Sequence, residues 1–312
     1  MSRRHQRLIP AALALALLAA GCGAASSSVP QSQSPSQSGP QQPTVVQAGE
    51  HWFKVPDPLD ETSVDGFGKK MREIQEKYFT EQNQVFYAVV PDKTEFAPEG
   101  AARLDSAPML EQLEGQTGRA QWIDLAGTLT LDDYFLADGH WKQDRLQSVL
   151  DALGAAMGFE VKLDEFQTSQ LEGFHGGYEK DLPQGQSLPL EPLTLLTPPA
   201  TENLVVKHFQ DPCTALYDTS KDPVNYDVFL SGVDPILTIT NPDARTDRSL
   251  VIFRDSFGSS LAPLLSGEYH TITLVDLRYM ASGLLPQYVE FTDQDVLFLY
   301  SAAVVNRSVL LR

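Results

Sequence analysis

Two short stretches hold residue types that can cooperate in acyl chemistry. Asp138-Gly139-His140-Trp141 sets an aspartate and a histidine two positions apart. On a loop both side chains can aim at one point, and the carboxylate can fix the imidazole tautomer that a general base needs. The second stretch is Arg254-Asp255-Ser256-Phe257-Gly258-Ser259-Ser260, where the apolar run 250–253 stops abruptly and a Gly/Ser pair opens another. This reads as strand, sharp turn and helix start. Such a turn lifts Ser256 to the top of a sheet and offers backbone N–H groups to an oxyanion. Serine is unreactive until a base takes its proton, and His140 with Asp138 supplies one. Taken singly, each stretch has a plainer reading: Asp255 or Ser256 as a helix cap, His140 as a surface or packing histidine, Trp141 as core.

The elements that must position these residues follow from periodicity. Phe67, Met71, Ile74 and Tyr78 fall at the three-and-four spacing of an amphipathic helix over residues 64–80. Residues 85–90 form a continuous aromatic and β-branched run ended by Pro91-Asp92-Lys93, the mark of a buried parallel strand. A helix at 101–113, a strand at 121–125 and a helix at 144–157 continue the alternation. Gly and Pro then interrupt the pattern between about 158 and 204, predicting an irregular excursion with a short antiparallel ribbon on one edge of the sheet. Strand-like runs return at 228–230, 236–240, 250–253, 271–275 and 296–300. Together these predict an α/β protein, a three-layer α/β sandwich with a mainly parallel central sheet, its site at the carboxyl ends of the strands.

The first 22 residues predict a targeting segment. Arg3, Arg4 and Arg7 precede an apolar stretch at 8–20, and Ala19-Ala20-Gly21-Cys22 has the form of a bacterial lipobox, with lipid expected on Cys22. An ordinary cleaved secretion signal is the alternative. Residues 23–48 are rich in Ser, Gln and Pro and carry no charge, the composition of a disordered tether. A single domain is expected from residue 49 to 312. Removing the first 22 residues leaves 20 basic against 41 acidic side chains, a formal charge of −21, which excludes general nucleic-acid binding. With Cys22 lipidated, Cys213 is the only remaining thiol and no intramolecular disulfide forms. No metal-ligand cluster surrounds it, and neither metal nor cofactor is expected. His175, His208 and His270 read as loop histidines.

Asp138-Gly139-His140-Trp141 resembles the Asp-x-His-Trp signature of the DHHW-motif proteins, a branch of the SGNH-hydrolase-like superfamily related to the periplasmic alginate O-acetylation proteins. Residues 85–96 (VFYAVVPDKTEF), 226–240 (YDVFLSGVDPILTIT), 251–265 (VIFRDSFGSSLAPLL) and 275–279 (VDLRY) resemble stretches of bacterial members in the same order. The resemblance implies an SGNH-hydrolase-like fold and a triad of Asp138, His140 and Ser256. In two places this chain departs from the family pattern: Gly139 stands where a second histidine is common, and Ser231-Gly232-Val233 where Gly-Gly-Asn is common. The second change removes a side-chain oxyanion donor and leaves the backbone N–H groups of Ser256 and Gly232 as candidates.

Arg254 and Arg278 are candidates for binding a carboxylate on a sugar polymer or acyl donor; the plainer role for Arg278 is pairing with Asp276. The resulting expectation is an exported, lipid-anchored, serine-dependent O-acyl (acetyl) transferase or esterase acting on cell-surface polysaccharide. As the resemblance implies, a membrane acyl-transfer partner would serve a transferase. The alternative is a glycan-binding or envelope-assembly lipoprotein with a degenerate triad on the same fold.

Overall fold

The computed structural model describes residues 44–182, 185–209 and 215–312; Cys22, the tether up to residue 43 and Cys213 lie outside them. Within the described residues, a hairpin strand occupies positions 45–48, the last of the stretch expected as tether. β1 (Val45–Ala48) and β2 (His51–Lys54) form an antiparallel hairpin turned at Gly49, which has a φ of 63°. α1 (Glu61–Tyr78) is capped by Asp60, whose side chain accepts from Ser63 N–H, and it buries Val64, Phe67, Met71 and Ile74. β3 (Gln84–Val90) follows, buried from its second residue onward. α2 (Ser106–Leu113) is shorter than the expected 101–113, because Asp105 caps it at Ala107 N–H and Pro108 fits only its first turn. β4 (Gln121–Trp122) keeps just two residues of the expected strand. α3 (Gln147–Met157) ends at Gly158 in the left-handed conformation.

The excursion contains β5 (Gln167–Phe174) and β6 (Glu191–Thr197), paired antiparallel as a separate two-stranded ribbon. It does not extend the main sheet; Phe174, Leu193 and Leu195 instead share an apolar cluster with Phe135, Tyr226 and Phe229. After it come β7 (Val205–His208), β8 (Ile236–Thr240), β9 (Thr246–Arg254), α4 (Phe257–Leu265), β10 (Tyr269–Val275), β11 (Asp295–Ser301) and α5 (Ala302–Val305). Residues 228–230 are not a strand: Tyr226–Val228 is a 3-10 turn, and its apolar side chains fill that same cluster.

The main sheet has seven strands in the order β4-β3-β11-β9-β10-β8-β7. Every pair from β4 to β10 is parallel, while β8 runs antiparallel to both neighbours. Side chains along the central strands alternate between two cores. Phe86, Ala88, Leu250, Ile252, Leu297 and Leu299 meet residues of α3 and α4 in one; Val85, Tyr87, Val251, Phe253, Val296 and Phe298 meet α1 in the other. Each such side chain contributes roughly 1.5–3 kcal/mol on burial, so strand register is fixed from both faces. The chain is thus a mixed α/β protein on a mainly parallel sheet, and β3, β9, β10 and β11 all end on the edge where Ser256 begins its turn.

Candidate active site

Ser256 sits between β9 and α4, with φ −62° and ψ −23°. The turn is tight enough to demand glycine two residues on, since a Cβ at Gly258 would lie 2.6 Å from Arg254 Cβ. The Ser256 hydroxyl makes no capping hydrogen bond; Asp255 does that work. Its Oδ1 accepts from Phe257 N–H at 3.1 Å, and its Oδ2 accepts from the N–H and hydroxyl of Ser301 at 2.8 and 2.7 Å. Ser301 is in turn the N-cap of α5.

The Ser256 side chain faces a histidine. His140 Nε2 lies 2.7 Å from Ser256 Oγ, and His140 Nδ1 lies 2.6 Å from Asp138 Oδ1. An ionised carboxylate can only accept, so Nδ1 carries the proton and Nε2 presents its lone pair to the hydroxyl. Asp138 is buried, which opposes its ionisation; the neighbouring His140 and hydrogen bonds from the His140 ring, Gly177 N–H and His140 N–H outweigh this and hold its carboxyl below the ordinary range. The expected trio therefore meets in one hydrogen-bonded chain, with Asp138 at its buried end and His140 and Ser256 partly open to solvent.

Residues outside the trio, most of them not singled out by the sequence, shape this geometry. Tyr226 stacks on the His140 ring at 3.8 Å between centroids and 12° between planes. Its hydroxyl donates to Ser260 Oγ at 2.7 Å, and Trp141 Nε1 donates to the same oxygen at 2.8 Å. Trp141 is thus core, as its plainer reading has it, and also anchors the histidine loop to α4. Gly176 passes so close to that loop that a Cβ there would lie 2.0 Å from the Ala137 carbonyl oxygen. Of these residues, Trp141 belongs to a motif that the sequence singled out.

Comparison with known proteins supplies the fold relationship. No family model matches the chain, and no curated protein matches it. Among solved structures, a DHHW family protein from Eubacterium siraeum DSM 15702 superposes with a TM-score of 0.66 at 18% identity, over 86% of this chain and 95% of that one. Bacillus cereus PatB1 superposes with a TM-score of 0.63 at 17% identity, over 84% and 96%. The same protein with a sulfonyl adduct gives 0.63 at 16%, over 84% and 95%. The chain has the fold of a DHHW family protein.

On this DHHW fold the remaining candidates take other places. Arg254 is fully buried; its Nη1 lies 3.1 Å from Ser259 Oγ and 3.8 Å from Asp276 Oδ2, and Nη2 reaches the Asp234 carbonyl at 3.5 Å. Burial lowers its pKa and Asp276 opposes the shift. It holds the turn together from below, out of a ligand's reach. Arg278 pairs with Asp276 through Nε at 2.9 Å and Nη2 at 2.6 Å. Gly232 has a φ of 93°, and its N–H donates to the Phe229 carbonyl at 3.1 Å. That donor is committed to a turn. At Gly139, where the resemblance places a histidine, a Cβ would meet the Tyr178 hydroxyl at 2.8 Å. His175 pairs with Glu179 at 2.9 Å and His208 with Asp234 at 2.9 Å. Among the described residues, no group of three or more His, Cys, Asp or Glu is arranged to hold a metal, and no helix is long and apolar enough to cross a membrane.

Proposed function

We propose that this chain is an exported, lipid-anchored, serine-dependent O-acyl transferase or esterase, acting on acetyl groups of a cell-surface polysaccharide. The observation that carries the reading is the unbroken chain from Asp138 through His140 to Ser256 at the start of α4. Ser256 Oγ attacks the acyl carbonyl while His140 Nε2 takes its proton, and Asp138 stabilises the imidazolium. The N–H groups of Phe257 and Gly258 are taken by Asp255, so the backbone N–H of Ser256 stabilises the tetrahedral oxyanion. Collapse expels the sugar or carrier oxygen, protonated by His140, and leaves an acyl-serine. A sugar hydroxyl or water, deprotonated by His140, then attacks that ester and frees Ser256. A sulfonyl adduct of PatB1 supports the reading by analogy of fold, because sulfonyl reagents are electrophiles that trap activated nucleophiles. We assign Asp138, His140 and Ser256 as catalytic, Cys22 as the lipid attachment to the bacterial cell membrane, and the domain as a three-layer SGNH-hydrolase-like sandwich.

Cleavage of 4-nitrophenyl acetate by wild-type protein and by Ser256→Ala tests the serine. Loss of turnover in the variant is expected, and equal rates would remove the nucleophile. The commitment of the Gly232 N–H to Phe229 favours a second reading, a glycan-binding or envelope-assembly lipoprotein whose oxyanion hole is incomplete. One absent donor typically costs roughly a hundredfold to a thousandfold in rate. Polymer binding that survives Ser256→Ala, with Ser256 unlabelled by a serine-reactive phosphonate, would select that reading.

A further inference from the structure

Lys93 follows Pro91-Asp92 at the end of β3 and opens a 3-10 turn, Lys93–Phe96. It is 1% exposed. Its Nζ lies 2.7 Å from the Trp52 carbonyl oxygen, 2.6 Å from that of Phe135, 2.9 Å from that of Leu136 and 3.2 Å from that of Asp138. All four partners can only accept. Three belong to the loop that carries Asp138 and His140, and the fourth belongs to β2.

We propose that Lys93 is a positioning residue for the Asp138–His140–Ser256 site, its ammonium drawing three carbonyls of the histidine loop and one of the N-terminal hairpin onto a single buried point. The inference rests on the serine-dependent reading given above. Ser256 is fixed by a strand and a helix, whereas Asp138 and His140 lie on a loop that must find its own anchors. The loop closes on itself through Phe135 N–H to the His140 carbonyl at 3.1 Å. β2 grips it through Trp52 N–H to the Leu136 carbonyl at 2.7 Å. Leu136 thus already has a donor; the three N–H bonds of the Lys93 ammonium serve chiefly the carbonyls of Trp52, Phe135 and Asp138, and burying those oxygens without donors is costly. Asp138, Glu191 and Asp92 place negative charge around the ammonium and Lys142 opposes them; the Phe53 and Tyr178 rings lie 5.2 and 5.6 Å from Nζ. Burial, the largest influence, pushes Lys93 down to about 7, and the carbonyl shell favours the charged form. A loop displaced by 1 Å can cost roughly a hundredfold in rate.

The test compares full-length wild type, Lys93→Met and Lys93→Arg. Three quantities are read: thermal unfolding, kcat and KM for 4-nitrophenyl acetate, and the low-field proton resonance of the His140–Asp138 hydrogen bond. Lys93→Met is expected to lose the low-field resonance and roughly a hundredfold in kcat with little change in KM, and Lys93→Arg to recover part of both. A folded Lys93→Met that keeps the resonance and the kcat overturns the proposal. If Lys93→Met does not fold, the Lys93 side-chain nitrogen resonance of the wild type decides: ammonium protons protected from solvent and coupled to carbonyl carbons support the proposal, and a freely exchanging amine overturns it. The resonances are read without turnover. A wild type lacking Ser256-dependent cleavage thus sinks the enzymatic reading separately from the role of Lys93 in holding the loop.

Discussion

Gly177 N–H donates to Asp138 Oδ2, the carboxylate oxygen that His140 leaves open, while Oδ1 takes both the His140 ring and the His140 N–H. The aspartate is therefore held from two segments far apart in sequence, and its orientation depends on both.

Asp138→Asn keeps the shape and removes the charge. An amide presents an N–H where Gly177 or His140 now donates, so one of those contacts turns repulsive and the histidine tautomer is no longer enforced. A fall in kcat of roughly 10⁴-fold is expected, as in protease triads, with KM little changed. Steady-state ester cleavage with chemical shifts of the His140 ring would check both parts.

Gly176→Ala places a methyl against the Ala137 carbonyl. Because that contact is backbone, the 176–177 segment has to retreat and Gly177 withdraws from Asp138. The expected result is a stability loss of about 1–3 kcal/mol, typical of overpacking, together with a kcat loss beyond tenfold. Urea denaturation and ester kinetics on the same preparation separate the two, and unchanged kcat would show that Gly177 is dispensable.

Ser260→Ala strips the shared partner from two buried donors, Trp141 Nε1 and Tyr226 OH. An unsatisfied buried donor costs about 1–3 kcal/mol, so destabilisation of at least that size is expected. Tyr226→Phe together with Ser260→Ala should cost less than the sum of the single changes, because one orphan disappears; a double-mutant cycle in urea would show it.

His51 governs part of the acid response. Burial, then Lys93 and Lys142, lower it to about 4 from an ordinary 6.5, and its Nδ1 is buried with no hydrogen-bond partner among the described residues. Between about pH 6.5 and 4 the unfolded chain binds a proton that the folded chain refuses. Stability therefore falls as pH drops through that window. His51→Gln should flatten this part of the profile, seen as a smaller drop in melting temperature between pH 7 and pH 5 than the wild type shows.

Much of the fold can be read from local pattern. The continuous runs at β3, β9, β10 and β11 announce strands buried on both faces, and the polar break at Arg254-Asp255-Ser256 marks the turn after β9. β7 escaped because its four residues alternate weakly and border a Pro-rich stretch, and residues 228–230 misled because a three-residue apolar run has no distinguishable period. In the candidate site, Asp138, His140 and Ser256 carry their chemistry in their residue types. Lys93, Gly177 and Tyr226 do not. Their contributions are a charge facing carbonyls, a backbone N–H and a ring face, and each meets its partner across a long sequence separation. Arg254 shows the converse error: a cation at the end of a strand suggested a ligand, yet the sheet buries it against Asp276.

Asp255 gives the candidate site an uneven stiffness. One carboxylate starts α4 at Phe257 and binds the cap of α5 at Ser301, so Ser256 cannot shift without disturbing two helices and the strands β9 and β11 that feed them. His140 is secured by a ring stack, a carboxylate and a loop gathered around a lysine. Strain from a bulky acceptor would accordingly be taken up on the base side of the bond-forming atoms, leaving the nucleophile as the fixed reference against which a substrate is aligned.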